Sequence, residues 1–381
     1  MTKFVRGCVV LLSLVLCGLL SCTVWAEDIP TGLDELLPQE VQMLDELSDG
    51  ENIVLSNYSL EAALAMLLEA ATGPAEEELS SFLGMDREQA RELERQTAES
   101  LAERGVAEVA NAFWFKDDMN ISSDYMQLLR DCYDADTFFE PDTQVAYSLI
   151  NAWCNEKTHG LIDSIVSEDM LLDAISVLCN AVYFESNWTD ELSVEEDVVF
   201  HGLNEDQTTA FVYGGADAYY ENDYAVGFGK LYDGGVLFIG ILPKSETTWF
   251  SDIDVNGFLE SEAFDYPVCM EMPRFQVENI CGLSDYLQSN GLESCFVEGN
   301  LQRMGSDDIF VSKILQKALI NVDEYGTRAA AVTAIEDDKL CAEGFFEEEP
   351  KSVTLDRPFF FMLKDTVSGR ILFMGKVMNI D

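Results

Sequence analysis

A chain of 381 residues that is 48% hydrophobic and 11% aromatic can bury a sizeable core, which argues against intrinsic disorder. Its formal net charge of -49, from 71 acidic against 22 basic side chains, repels polyanions at long range and argues against nucleic acid as a partner. The excess acid reads instead as a solvated surface, and no Pro/Gly/Ser-rich linker, repeat or low-complexity tract divides the chain, so one large domain is expected.

The chain opens on "MTKFVRGCVVLLSLVLCGLLSCTVWAED": Lys3 and Arg6, an apolar run through Leu20, then small residues before an acidic stretch. That order predicts an export signal over residues 1–26, and the apolar run is too short to favour a membrane span. Two processing routes stay open, cleavage after Ala26 or, in a bacterial source, lipid attachment at Cys22 within "LLSC". Either route puts the protein outside the cell, secreted or anchored at its surface, and a lipid at Cys22 is the only membrane contact expected. Three of the ten cysteines belong to this segment, leaving Cys132, Cys154, Cys179, Cys269, Cys281, Cys295 and Cys341. An odd number cannot all pair internally, and without a CxxC or zinc spacing, beside only two histidines, His159 and His201, most read as buried thiols, with no ground for a disulfide framework or a metal site.

Ser59 is placed to cap a helix through "LEAALAMLLEAATGP", where Leu60, Ala63, Leu64, Leu67 and Ala71 share a face and Gly73 and Pro74 end the run. The next helix, "DREQARELERQTAESLAERG", sets Arg87, Arg91 and Arg95 one turn apart. Glu88, Glu92 and Glu94 among them favour a solvated face over a polyanion site. "SVLCNAVYF" and "GVLFIGILP" predict central strands, the first with Asn180 in its middle, where a buried amide must find partners. "PFFFMLKDTVSGRILFMGKVMNI" predicts a hairpin about "TVSG". Helices crowd the first half and strands the second, which predicts an α+β domain.

Enzymatic signatures do not emerge. His159 sits in "CNEKTHGLI", a helix and its C-terminal turn, with no GxSxG nucleophile turn, P-loop or GxGxxG fingerprint in the chain, and no spacing singles out a carboxylate pair. No cofactor is expected. Asn57, Asn120 and Asn187 begin glycosylation sequons that matter only in a glycosylating source, and Asn57 and Asn187 lie in apolar contexts.

"DEYGTRAAAVTAIEDDKLCAEGFFEEEP", residues 323–350, sits between two stretches that read as strands and sets small residues before about a dozen mostly polar ones. "KALINVDEYG" before it alternates like a strand, and Gly326 then frees the backbone. Read with period two, Thr327, Ala329, Ala331, Thr333 and Ile335 face one way, all uncharged and mostly small, so this segment could slide between two existing strands. A loop of this length inside a compact domain is functional or mobile.

Four segments, "NIVLSNYSLEAALAML", "NAVYFESNW", "ALINVDEYGTRAAAVTAI" and "DRPFFFMLKDTVSGRILFMGKVMN", resemble serpin signature segments in serpin order, and the resemblance spans essentially the whole mature length. It implies a single serpin domain over residues 27–381, with a large central mixed sheet, two smaller sheets, about eight or nine helices and an exposed reactive-centre loop over about 326–350. It implies a monomeric protease inhibitor, consumed once in a covalent complex. The protease cleaves the loop, forms an acyl-enzyme, and is distorted when the hinge inserts as a new strand of the large sheet; serpin loop insertion is itself a stock example of strand addition and released strain.

Residue by residue, the resemblance assigns the hinge to Glu324, Gly326, Thr327, Ala329, Ala330, Ala331 and Thr333, with Arg328 standing where an acidic residue is common. Counting by the family's spacing puts the attacked bond at Leu340–Cys341, which suits chymotrypsin-like, elastase-like or subtilisin-like enzymes. Lys339, which would select trypsin-like enzymes, and Phe345 stay open because the stretch from Leu340 to Pro358 is longer than usual. Ser56, Ser59 and Asn180 match the polar shutter under the opening sheet, with Gln316 where many serpins carry histidine and Asn57 where they carry proline. Arg274 and Glu324 match an ion pair above the hinge, and Trp188 the aromatic where insertion begins. Cys341 reads as an unreactive thiol among carboxylates. Three alternatives remain: a papain-like target, a serpin-fold carrier cleaved without trapping, and an acidic surface adhesin.

Overall fold

Helix ends in this chain follow side-chain chemistry closely, and the computed structural model describes residue 36 and residues 38–380, except 118–119, 246–248, 265–266, 307 and 328–349. Helix α1 (Pro38–Ser48) and strand β1 (Ile53–Leu55) lead into α2 (Asn57–Ala70). Ser56, not the expected Ser59, caps α2: its Oγ accepts from the Ser59 backbone N–H, and Ser59 is already helical. Both are cap-type residues, and the extended backbone at Ser56 decides between them. Every residue of α2 except Glu61 is buried, as expected of a helix apolar on all sides.

Then come α3 (Pro74–Leu83) and α4 (Arg87–Arg104), the latter opened by a reciprocal Asp86–Gln89 capping box and closed by left-handed Gly105. The arginines of α4 do not form a uniformly solvated face. Arg91 makes two 2.6 Å bonds to the buried Glu69 carboxylate and Arg87 a 2.6 Å bond to Glu76, so only Arg95, paired with Glu92 and Glu99, fits that expectation. A buried carboxylate on the neighbouring helix draws the other two inward.

The chain continues through β2 (Ala107–Phe115), α5 (Ser123–Tyr133), β3 (Ala135–Phe139), α6 (Thr143–Lys157), α7 (Glu168–Leu171), β4 (Ser176–Phe184) and β5 (Ser186–Asn187). The second half is nearly all strand: β6 (Ser193–His201), β7 (Asp206–Ala216), β8 (Ala218–Glu221), β9 (Ala225–Leu231) and β10 (Val236–Pro243), then α8 (Val255–Leu259), β11 (Val268–Pro273), β12 (Phe275–Gly282) and α9 (Ser284–Ser289). β13 (Lys313–Val322), β14 (Gly326–Thr327), β15 (Lys351–Thr354), β16 (Phe359–Asp365) and β17 (Ile371–Val377) complete it. The two expected central strands are β4 and β10, and the expected hairpin is β16–β17.

Among the described residues these are nine α-helices and three sheets, the α+β architecture expected. The seven-stranded sheet runs β3-β2-β4-β13-β14-β5 with β12 also on β13. It is mixed, because β2·β3 and β4·β13 are parallel and β2·β4 and β12·β13 antiparallel. An antiparallel six-stranded sheet runs β1-β17-β16-β10-β9-β8, and a four-stranded one runs β15-β11-β7-β6. Three apolar cores separate these layers. One packs Leu64, Leu67 and Leu68 of α2 with Ile239, Ile241 and Met374 of the six-stranded sheet. Another holds Phe238 and Phe361 with Val182 and Ile320 of the mixed sheet, and a third sets Ile150 and Trp153 of α6 over Trp114, Val177 and Leu319.

Among the described residues the cysteines are free thiols with one exception. Cys269 is disulfide-bonded, whereas Cys132, Cys154, Cys179, Cys281 and Cys295 are free, all but Cys132 buried. Burial pushes the Cys154 and Cys281 thiols up, to about 12 and about 11, so they behave as small apolar groups.

Candidate functional site

Strands β4 and β13 run side by side from Val177↔Lys313 to Tyr183↔Leu319 and then part. Beyond that point β4 is continued by β5, β13 runs on to Val322, and the chain turns back at Asp323. The Asp323 carboxylate shapes the turn by accepting from the Tyr325 and Gly326 backbone N–H groups at 2.8 and 3.1 Å. Burial raises the Asp323 carboxyl above its usual range, and those two bonds oppose the shift.

Gly326 and Thr327 then enter the opening. Thr327 pairs with Val322 of β13 on one side and Ser186 of β5 on the other, and Gly326 with Asn187, antiparallel to both neighbours. Only glycine fits at 326: φ is 148°, and a Cβ there would stand 2.2 Å from the Ser186 carbonyl oxygen. Thr327 is 1% exposed, and its Oγ1 shares a 2.7 Å hydrogen bond with the Tyr232 hydroxyl, which burial holds in its neutral form.

Trp188 closes the mouth from above. Its ring stacks on Tyr232 with centroids 3.9 Å apart, its Nε1 donates to the Asp323 carbonyl at 2.8 Å, and its backbone N–H donates to the Tyr325 carbonyl at 2.9 Å. Arg274 reaches Glu324 at 2.7 Å, tying the end of β11 to the turn, and the Arg274 Nε is buried without a partner. A cleft of about 200 Å³ lies just below, lined by Gly160 and Leu161 after α6, Phe184, Gln276, Glu278, Leu319 and Asn321.

Deeper along the same strand pair lies a polar layer. Asn111 of β2, Asn180 of β4 and Gln316 of β13 sit at one level across three adjacent strands, all buried, because the register aligns Asn111↔Asn180 and Asn180↔Gln316. Asn180 Nδ2 donates to Asn111 Oδ1 at 2.6 Å and to the Ser59 carbonyl at 3.2 Å. Gln316 accepts from the Ser56 backbone N–H and donates to the Ser56 carbonyl, both at 2.9 Å, and reaches Ser59 Oγ at 3.4 Å. The Ser56 hydroxyl donates to the Leu372 carbonyl at 2.8 Å. Both side chains are thus tied to the start of α2 and not to each other, and the buried Asn180 Oδ1 has no hydrogen-bond partner.

The structure thus brings Glu324, Gly326, Thr327, Trp188 and Arg274 together at the mouth, and Ser56, Ser59, Asn180 and Gln316 at the polar layer. Asn57 joins neither; its Nδ2 donates to Glu40 on α1 at 2.9 Å. The remaining expected hinge residues, Ala329, Ala330, Ala331 and Thr333, the expected bond Leu340–Cys341 with Lys339 and Phe345, and Cys22 all lie outside the described residues. Tyr232 and Asn111 escaped the sequence reading. An aromatic ahead of the "DGG" turn was the only pointer to Tyr232, whereas Asn111 carries the signal of Asn180, a lone amide in an apolar strand. His159 and His201 are exposed, and no group of His, Cys, Asp and Glu among the described residues could hold a metal ion.

Comparison with known proteins places this geometry in company. The family model described as Serpin (serine protease inhibitor) matches residues 39–380. Iripin-3 of Ixodes ricinus is 30% identical over 387 residues, covering 94% of each chain. The native state of tengpin, a thermophilic serpin, superposes with a TM-score of 0.75 at 26% identity, over 91% of this chain and 95% of that one. Human thyroxine-binding globulin, solved in complex with thyroxine, gives a TM-score of 0.78 at 19% identity over 90% and 96% of the chains, a likeness of fold alone.

Proposed function

The chain belongs to the serpin family, whose members are in general protease inhibitors rather than enzymes, and from that premise we propose that it is an irreversible suicide-substrate inhibitor of an endopeptidase. One observation carries the proposal: Gly326 and Thr327 already occupy the strand position between β13 and β5, antiparallel to both. Continued in the same direction, the chain after Thr327 would run between β4 and β13 once those paired strands part, and after Arg328 it continues with three alanines.

Attack of the protease nucleophile on the Leu340 carbonyl would form an acyl-enzyme and release the Cys341 amine, which takes up the proton. The Leu340 side, now severed from β15, is free to enter the sheet with the protease attached. Insertion then competes with hydrolysis of the acyl bond, and the polar layer of Asn180, Gln316, Ser56 and Ser59 is where β4 and β13 must part. An apolar residue at 340 favours a chymotrypsin-like, elastase-like or subtilisin-like target. Lys339 would redirect this to trypsin-like enzymes, and a papain-like nucleophile would use the same loop. The proposal includes export through residues 1–26, a monomeric single domain over 27–381, and an extracellular or surface-anchored location.

The test is incubation of the mature protein with chymotrypsin, elastase, subtilisin, trypsin and papain, followed by a denaturing gel and the mass of the released C-terminal fragment. Inhibition predicts a denaturant-stable complex with at least one protease, and a fragment beginning at Cys341. Clean cleavage with every protease still active would replace the inhibitor by a carrier of serpin fold.

A further inference from the structure

Tyr232 lies between β9 and β10, in a different sheet from the hinge, yet its hydroxyl ends on Thr327. The ring is wholly buried, stacked on Trp188 and edge-on to Phe184 at 4.9 Å, so it cannot swing away to seek another partner. Its hydroxyl is therefore satisfied when Thr327 is seated, and orphaned in an apolar surround when Thr327 leaves. The backbone of the same segment is fixed from above, because Trp188 and Leu192 donate to the carbonyls of Tyr325 and Glu324 at 2.9 and 3.1 Å.

We propose that Tyr232 is a positioning residue for loop insertion: its hydroxyl latches Thr327 into the sheet before any protease arrives, so that insertion starts from a seated first residue. This rests on the inhibitor reading for its consequence, though not for the latch itself. Insertion must outrun hydrolysis of the acyl bond. A hinge that first had to find the opening would lose time to water, whereas a latched one begins one residue pair ahead. Loss of the latch should leave the first encounter and cleavage of the loop untouched and shift the outcome from trapped complex towards released, active protease.

Two readouts on the intact protein test this. The first is hydrogen exchange at the Gly326 and Thr327 amides without protease. Tyr232→Phe and Thr327→Val should each raise it by about fivefold, the ratio one hydrogen bond of ordinary net strength sets, and the double variant should add nothing further. Thr327→Ser, which keeps the hydroxyl, should exchange like the wild type. The second is the number of inhibitor molecules consumed per protease trapped, which should rise by a similar factor of about five in both hydroxyl-deleting variants, with the rate of loop cleavage unchanged. Unchanged exchange in Tyr232→Phe would overturn the latch, and faster exchange with unchanged consumption would overturn its role in insertion. If the wild type traps no protease, the inhibitor reading falls, and exchange alone decides whether the latch exists.

Discussion

At Thr327, a guanidinium in place of the hydroxyl would have to be buried against Tyr232 between two strands, or the hinge would have to leave the sheet. Thr327→Arg is therefore expected to abolish the denaturant-stable complex while the loop is still cleaved, measured by gel and by residual protease activity. An adhesin or carrier role would be indifferent to that change. Gln316 offers a second test, on stability. Its amide satisfies both the N–H and the carbonyl of Ser56, so Gln316→Ala removes two buried bonds and opens a void, at a cost of about 2 to 4 kcal/mol. Denaturant unfolding of the intact protein reads this directly, and a change below about 1 kcal/mol would mean that Ser56 finds other partners. Gln316 stands where many serpins carry histidine, and the amide, a donor and an acceptor at once, binds both backbone groups without titrating near neutral pH.

Helix α4 carries a different kind of residue. Glu94 is buried facing Arg370, which also meets Glu61 and Thr97 and lies over the Tyr58 ring, so α4, α2 and the β16–β17 turn share one cation among two carboxylates. Burial pushes the Glu94 carboxyl up to about 7, with Glu61 adding to the rise and Arg370 opposing it. Its folded value lies above its unfolded one, near 4.5, so the folded state holds the extra proton between those two values. This group's contribution is full below about 4.5 and lost as pH rises through about 7. Glu94→Gln should remove a decline on the order of 1 to 3 kcal/mol from the difference between unfolding measured at pH 5 and at pH 8. Identical pH slopes in the two proteins would show that Glu94 is ionised throughout.

Other elements show how far pattern reading reaches. The existence of helix α4, the apolar runs of β4 and β10 and the β16–β17 turn are local, and residues a few positions apart contain them. The choice of Ser56 over Ser59 as cap, the inward turn of Arg87 and Arg91, and the alignment of Asn111, Asn180 and Gln316 depend on strands and helices far apart in sequence. Asn180 in "SVLCNAVYF" announces a buried amide, but its partners become visible only when β2 and β13 are laid beside it. The ion pair of Arg274 and Glu324 was legible through family resemblance, whereas Tyr232, reaching the hinge from another sheet, had no local signal beyond its aromatic character.

On the scale of the whole molecule, the proposed function stands on one geometric circumstance: β4 and β13 part at one end, and Gly326 and Thr327 lie there between β13 and β5. A protein built this way should be less stable with its loop intact than with the loop cut and inserted, because insertion adds a strand's backbone hydrogen bonds and buries Ala329, Ala331 and Thr333. The most direct measurement is the thermal unfolding of the intact protein against the same protein nicked within residues 334–349 by a protease it does not trap. Insertion requires the nicked form to unfold at a markedly higher temperature, by more than about 10 °C, since a gain of 1 kcal/mol in a chain of this size is worth only a few degrees. A nicked protein that unfolds at the same temperature as the intact one, or lower, would show that Gly326 and Thr327 mark where the strand ends rather than where insertion begins.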